Sequence, residues 1–496
     1  MILMADQKSR YIDLAAIALV IIEFLLIYSL YVSSSISIID RVAFGIISLV
    51  FVGIVISRVE GLEGSFGLYM IGSKRGIKTI NSIAKRYKRF WKAMADWGIV
   101  LGFGLVSYLI LGKRVSKLTY VFGILTIIFT VLFVVPYTAY GLQFIKVQQL
   151  QLLGYSAGGI SSFFNLSLVQ TLYLVFVVGI TVIFGFTGYI FYALIDESIS
   201  IVLLLISIVG KALSGAPSLA PLSTQVPGLL PVIPGITIPL ISGLIAFIII
   251  VVIHEMSHGV LASMVKTKIK RVGLLIFGVI PIGAFVEPDD KMIEKLDRHS
   301  KNRIYSAGVS ANFIAMFIFF FLLLLVLPYV NSNIIKVAVS STIPGYPASN
   351  VIAPGSIILS WNGHPTNNIG EIDAASANDT PGKVVTIATN RGNYSLVAQR
   401  ANGTTRGLVG VNIIETPVIK GTANSIIYFL YSLFAITLML NFLIGVINLL
   451  PLPMLDGSRI YDTSITKRKW IIKALDIAIV AMLILIALPW LGGLHV

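Results

Sequence analysis

Along most of this chain apolar residues do not alternate with polar ones but run on unbroken. Such runs fall at roughly 13–32, 40–57, 97–112, 119–141, 167–193, 199–214, 236–260, 304–329, 424–450 and 470–490. A helix needs about 20 residues to cross the hydrocarbon of a bilayer. Most of these runs meet that length, and 97–112 and 199–214 are the shortest. The pattern predicts a polytopic all-α membrane protein with about nine to ten transmembrane segments.

The polar stretches between the runs differ in kind. Residues 58–96 and 266–303 are heavily basic, with KRGIKTINSIAKRYKRFWK from Lys74 to Lys92 in the first, and a further KRK lies at 467–469. Lys and Arg gather on the cytoplasmic side of membrane proteins, so these three segments are expected inside. Residues 215–235 are uncharged and rich in Pro and Gly, which predicts an external loop. Residues 331–423 are polar, nearly balanced in charge and rich in Gly, Asn, Ser and Thr, which predicts a folded external domain. An inside 58–96 and an outside 215–235 require an odd number of crossings, yet four runs separate them. One of the four is therefore expected not to be a full crossing, either 199–214, which contains Lys211, or the glycine-interrupted 97–112. The first run starts near Asp13 and is expected to be an anchor rather than a cleaved signal.

Composition narrows the chemistry. The chain is 56% hydrophobic and 12% charged, with a mean hydropathy of +0.92, against about 25% charged residues in soluble domains. Its net charge of +15 fits basic cytoplasmic loops and anionic lipid better than nucleic acid. The absence of cysteine excludes disulfides, thiolate metal sites and thiol nucleophiles. Any metal must be held by His, Asp or Glu.

The stretch IVVIHEMSHGVLA (250–262) contains His254-Glu255-x-x-His258. Residues four apart on a helix share one face. Two imidazoles at that spacing suit one zinc ion, with Glu255 beside them as general base for an attacking water. Ionisable groups at the end of an apolar helix are costly and mark functional sites. A catalytic zinc needs a third protein ligand. His299 lies in a basic loop, His364 in the external segment and His495 near the C-terminus, so each is expected to be a surface residue. Asp456 in NLLPLPMLDG (448–457) is the best remaining candidate, because Pro451 and Pro453 break an apolar helix before it and broken helices at membrane depth line cavities. Taken alone, its Asp-Gly would be an ordinary turn.

At this point the sequence resembles the site-2 proteases, intramembrane zinc metalloproteases. HEMSH (254–258) carries the resemblance, with Asn448, Pro451, Pro453, Asp456 and Gly457 in an Asn-x-x-Pro-x-Pro-x-x-Asp-Gly pattern. The small-residue motif AGVSAN (307–312) and a PDZ-like stretch in the external segment complete it. The resemblance covers about 236–490. It implies one zinc per chain held by His254, His258 and Asp456, with Glu255 as base, acting on transmembrane protein substrates in regulated intramembrane proteolysis. The expected organisation is an N-terminal membrane region of accessory helices (1–214), a first part of the catalytic membrane core (215–330), a β-rich PDZ-like external domain (331–423) and a second part of the core (424–496). The active site is expected nearer the cytoplasmic face.

Other features have two readings each. The small residues of 306–312 suit close helix packing, and Asn312 can bond across helices. Asn448 is a candidate to polarise the scissile carbonyl, or a helix cap. GLLIFGVIPIGAFVEPDD (273–290) predicts a membrane-embedded hairpin whose edge could pair with an extended substrate, or a plain interfacial loop. The PDZ-like domain would bind a peptide or substrate ectodomain, or act as a spacer. Glu23, inside the first apolar run, is expected to pair with a basic residue of another helix. Two rival functions stand beside the protease: a metal or solute transporter, and a non-catalytic homologue that binds membrane partners.

Overall fold

The computed structural model describes residues 17–30, 38–145, 167–215, 220–223, 228, 232–235, 237–400, 406–465 and 468–489. Most of the 215–235 loop and His495 lie outside the described residues. Helices α1 (Ile17–Leu30) and α2 (Ile38–Val59) come first. Glu23 of α1 is buried and accepts a hydrogen bond from Ser48 Oγ of α2 at 2.8 Å.

The basic segment that follows is structured. Strands β1 (Gly64–Ser65) and β2 (Leu68–Gly72) lead into α3 (Lys74–Arg86). Ser73 caps α3 by accepting from Gly76 N, satisfying one of the free N–H groups of its first turn. Ile77, Ile80, Ile83 and Ala84 form one face of α3 and pack against Val260, Leu261 and Ala262, while Lys74, Arg75, Lys78, Lys85 and Arg86 stay exposed.

Among the described residues, seven helices are long and apolar enough to cross a membrane: Lys88–Arg114, Lys117–Leu142, Leu168–Leu213, Leu240–Met264, Ala307–Ile334, Gly421–Ile447 and Lys469–Ala487. The first begins with α4 (Lys88–Phe103) and the second with α5 (Lys117–Phe129). The third, α6 (Leu168–Leu213), is two helical segments that meet at a kink at Gly185, and the second of them joins the end of the 167–193 run to the 199–214 run that the sequence separates. Asp196 and Glu197 lower the local hydropathy but neither breaks a helix, so α6 continues through them. Its one non-helical residue is Gly185 (φ 67°), where it crosses α4 so closely that a Cβ would strike the backbone of Gly102 and Phe103. Among the described residues, three candidate spans lie between the basic 58–96 segment and 215–235.

The core is built on α7 (Leu240–Met264), α9 (Ala307–Tyr329) and α10 (Gly421–Ile447), with the short α8 (Arg298–Tyr305) leading into α9. Phe313, Met316, Phe320, Ile436, Met439 and Phe442 interlock at the centre of this bundle. Small residues set the spacing. A Cβ on Gly98 of α4 would overlap the Ser310 side chain of α9, so these helices meet nearly backbone to backbone. Beyond α10 the chain turns through Pro451 and Pro453 into α11 (Asp456–Ile460) and ends in α12 (Lys469–Ala487).

Two β-rich parts complete the fold. The hairpin expected at 273–290 exists as β3 (Ile269–Phe277) and β4 (Ile280–Pro288), and β2 pairs with β3, giving an antiparallel sheet in the order β1-β2-β3-β4. Ser73 N donates to Val272 O. Strand alternation then turns Gly273 and Leu275 toward their partners Phe285 and Gly283 on β4, and turns Ala284 and Val286 toward the free edge. The second part, between α9 and α10, starts with β5 (Ile335–Thr342) and closes with β12 (Val411–Pro417), which pair along their whole lengths. Between them β6 (Ile358–Trp361), β7 (His364–Pro365), β8 (Val384–Thr389) and β9 (Gly392–Val397) make a four-stranded sheet in the order β7-β6-β8-β9. β10 (Gln399–Arg400) and β11 (Gly407–Leu408) form a small hairpin. Val337, Ile352, Trp361, Val385 and Ile387 give this domain its own core.

Candidate metal centre

His254 and His258 lie one turn apart on α7, with their Nε2 atoms 3.3 Å from each other. The turn after α10 brings in Asp456, whose Oδ2 is 3.3 Å from His254 Nε2 and 3.1 Å from His258 Nε2. Three ligands bound at about 2.0–2.1 Å to a tetrahedral ion lie roughly 3.3–3.4 Å from one another. The observed triangle has that size. Asp456 Oδ2 is buried and lies within reach of both imidazoles, yet makes no well-formed hydrogen bond to either. A cation between the three atoms would satisfy it.

The far side of each imidazole fixes its orientation. His258 Nδ1 is 2.8 Å from the carbonyl of Ile304 on α8. A carbonyl only accepts, so Nδ1 carries the proton and Nε2 offers its lone pair to the triangle. His254 Nδ1 is 3.1 Å from the Asn312 side-chain amide, whose Oδ1 is buried without a partner. A half-turn of the amide resolves both facts: Oδ1 then accepts from His254 Nδ1–H, and His254 Nε2 is also free to bind. Asn312 therefore orients the His254 ring, a role beyond helix packing.

Glycines make the approach feasible. Gly308 of α9 lies against the imidazole pair, and a Cβ there would come within 2.5 Å of His258 Nε2 and His254 Cε1. The AGVSAN motif marked this stretch by its small residues but not by this contact. Gly457 is packed against the backbone of Leu449 and Leu450, and its N–H donates to Asn448 O at 2.7 Å. This closes the turn that delivers Asp456. Pro451 and Pro453, which lack N–H groups, keep that turn from continuing as helix. The Asn448 side chain donates Nδ2 to Ile444 O at 2.9 Å, the geometry of a helix end.

Glu255 stands beside the triangle. Its Oε2 accepts from Val286 N at 3.3 Å, so the carboxylate touches the free edge of β4. Among the described residues, the other two histidines do not join the centre. His364 is exposed on β7. His299, expected at the surface, is instead buried, with Nε2 3.6 Å from Asp96 Oδ1. Its partner is two hundred positions away, so no local pattern reveals that burial.

Residues 242–490, half of the chain, match the Peptidase family M50. An uncharacterized protein of Methanocaldococcus jannaschii is 29% identical over 238 residues, which cover 46% of this chain and 58% of that protein. The chain thus matches less than two thirds of that relative's length. With its long apolar helices and this match, the chain is an integral membrane protein that belongs to peptidase family M50, the site-2 protease family.

Proposed function

We propose that the chain is an intramembrane zinc metalloprotease that hydrolyses peptide bonds of transmembrane protein substrates. The observation that carries this reading is the triangle of His254, His258 and Asp456 with Glu255 at its side, facing an unpaired strand edge. His254, His258 and Asp456 would hold the zinc. When bound, the ion supplies Lewis acidity and lowers the pKa of a coordinated water. Glu255 takes the proton of the attacking water and delivers it to the leaving nitrogen as the peptide bond breaks. Ile304 O and Asn312 hold the imidazoles in the ligating tautomer.

A peptide bond within a helix is shielded by its own hydrogen bonds, so the substrate must unwind. The outward N–H and C=O groups of Ala284 and the C=O of Val286 offer replacement partners by strand addition, while the Val286 N–H is bonded to Glu255. A substrate strand docked there would run past the base. We assign the basic segments to the cytoplasmic side. The metal centre then lies nearer that face, and the β-rich domain is external and PDZ-like. In that position the domain would bind an extended peptide or exclude substrates that keep large ectodomains. Asn448 is assigned chiefly to the turn that presents Asp456.

The test is cleavage of a model transmembrane substrate by purified protein in liposomes, with and without a zinc chelator, beside Glu255→Gln. Loss of cleavage on chelation and in Glu255→Gln, with zinc content unchanged in the variant, is expected. Undiminished cleavage by Glu255→Gln would remove the assignment of the base. A solute flux that survives the substitution would favour a transporter.

A further inference from the structure

The family match begins at residue 242, yet the support of His258 extends to a residue far upstream. The carbonyl that orients His258 belongs to Ile304, on the short helix α8. One residue earlier, Arg303 forms a two-pronged ion pair with Asp96 of α4, Nε to Oδ1 at 2.8 Å and Nη2 to Oδ2. Asp96 is 6% exposed, and His299 approaches the same Oδ1 from the preceding turn of α8. The other side of α8 is tied to the segment that follows Asp456. Asn302 Nδ2 donates to Ser464 Oγ at 2.6 Å, and Arg298 Nε donates to the same oxygen at 2.8 Å. A carboxylate buried in an apolar helix costs several kcal/mol unless it is paired. Its pairing holds α8 in one place relative to α4.

Resting on the zinc reading above, we infer that Asp96 is a positioning residue for His258. Through Arg303 it fixes the height and rotation of α8, and so the Ile304 carbonyl that sets the tautomer and direction of the His258 ring. The region before the matched core thereby completes the support of the metal centre. Loss of such outer partners typically weakens metal binding by about 10–100-fold.

The experiment measures zinc affinity by chelator competition and the visible spectrum of the cobalt-substituted protein. Wild type is compared with Asp96→Asn, Arg303→Gln, their double variant and Arg114→Gln. Arg114→Gln removes only the exposed pair between Arg114 and Asp297, an outer tie of the same helix. Asp96→Asn is expected to bind zinc at least about tenfold more weakly with a shifted cobalt spectrum. The double variant should lose no more than the worse single one, and Arg114→Gln should stay within about twofold of wild type. Wild-type affinity and spectrum in a folded Asp96→Asn would overturn the inference while leaving the zinc reading intact. Should that variant fail to fold, Arg303→Gln, which removes the pair from the α8 side, carries the test, and wild-type affinity and spectrum there would have the same force. A wild-type protein that binds no zinc would overturn both.

Discussion

Replacing Gly308 by alanine adds one carbon where there is no room for it. The new methyl would lie 2.5 Å from His258 Nε2 and His254 Cε1, about 1 Å inside ordinary contact. The helix that carries it cannot retreat, because Ser310 is already pressed against Gly98 of α4. The imidazoles must yield instead, by close to the full 1 Å. The ligand triangle has sides of 3.1 to 3.3 Å, and metal sites tolerate only about 0.5 Å of displacement. Loss of zinc affinity on the order of 100-fold follows, or about 2.7 kcal/mol, with a parallel loss of cleavage. Chelator competition on detergent-purified Gly308→Ala measures the first, and cleavage of a transmembrane substrate the second. Overpacking alone costs about 1–3 kcal/mol of stability, so elution as a folded monodisperse species is checked first. A folded variant with wild-type zinc affinity would refute the claim that Gly308 makes space for the ligands.

Other outcomes can be checked with the same preparations. Asn312→Leu should weaken zinc binding by roughly tenfold, whereas Asn312→Asp, which keeps the acceptor, should retain it, as read by chelator competition. Ala284→Pro removes an outward N–H from the β4 edge and should lower kcat/KM by at least about tenfold with zinc content unchanged, measured by cleavage assay and metal analysis. Asp297 caps α8, and the Ser300 hydroxyl, with lesser help from backbone N–H groups and Arg114, lowers its carboxyl from 3.8 to about 2. Because that pKa is depressed, its stabilisation is complete above about pH 5 and is lost as pH falls toward 2. The difference in Tm between wild type and Asp297→Ala should therefore be constant from about pH 8 to 5 and shrink below 4.

The grouping of His254, His258 and Asp456 was legible because its cues are local. Four-residue helical spacing places His254 and His258 on one face whatever the tertiary fold, and Pro451 and Pro453 announce that Asp456 sits beyond a helix end. What escaped depends on partners distant in the chain. Strands as short as Gly64–Ser65 and Leu68–Gly72 carry no pattern of their own and exist because β3 accepts β2 and β2 in turn accepts β1. His299 looked like a loop histidine because Asp96 cannot be linked to it by spacing. The 199–214 run looked separate because Asp196 and Glu197 interrupt the hydropathy without interrupting the backbone. Glu23 meets the Ser48 hydroxyl, a contact set by how α1 and α2 pack and not by any local spacing.

The β-rich domain and the metal centre occupy opposite ends of the same two helices. α9 carries Gly308 and Asn312 at its start and runs on through a final turn (Val330–Ile334) into β5; α10 receives the chain from β12 and ends at the turn to Asp456. Because β5 and β12 are zipped together, the domain is mounted on a rigid pair of rods rather than on a tether. α10, at 27 residues, measures about 40 Å. The pair therefore works as a ruler. Under the proposed function, a substrate held by the domain at one end would present at the other a bond set by that distance, so cleavage position would be counted in residues from the grip as much as read from the sequence at the cut.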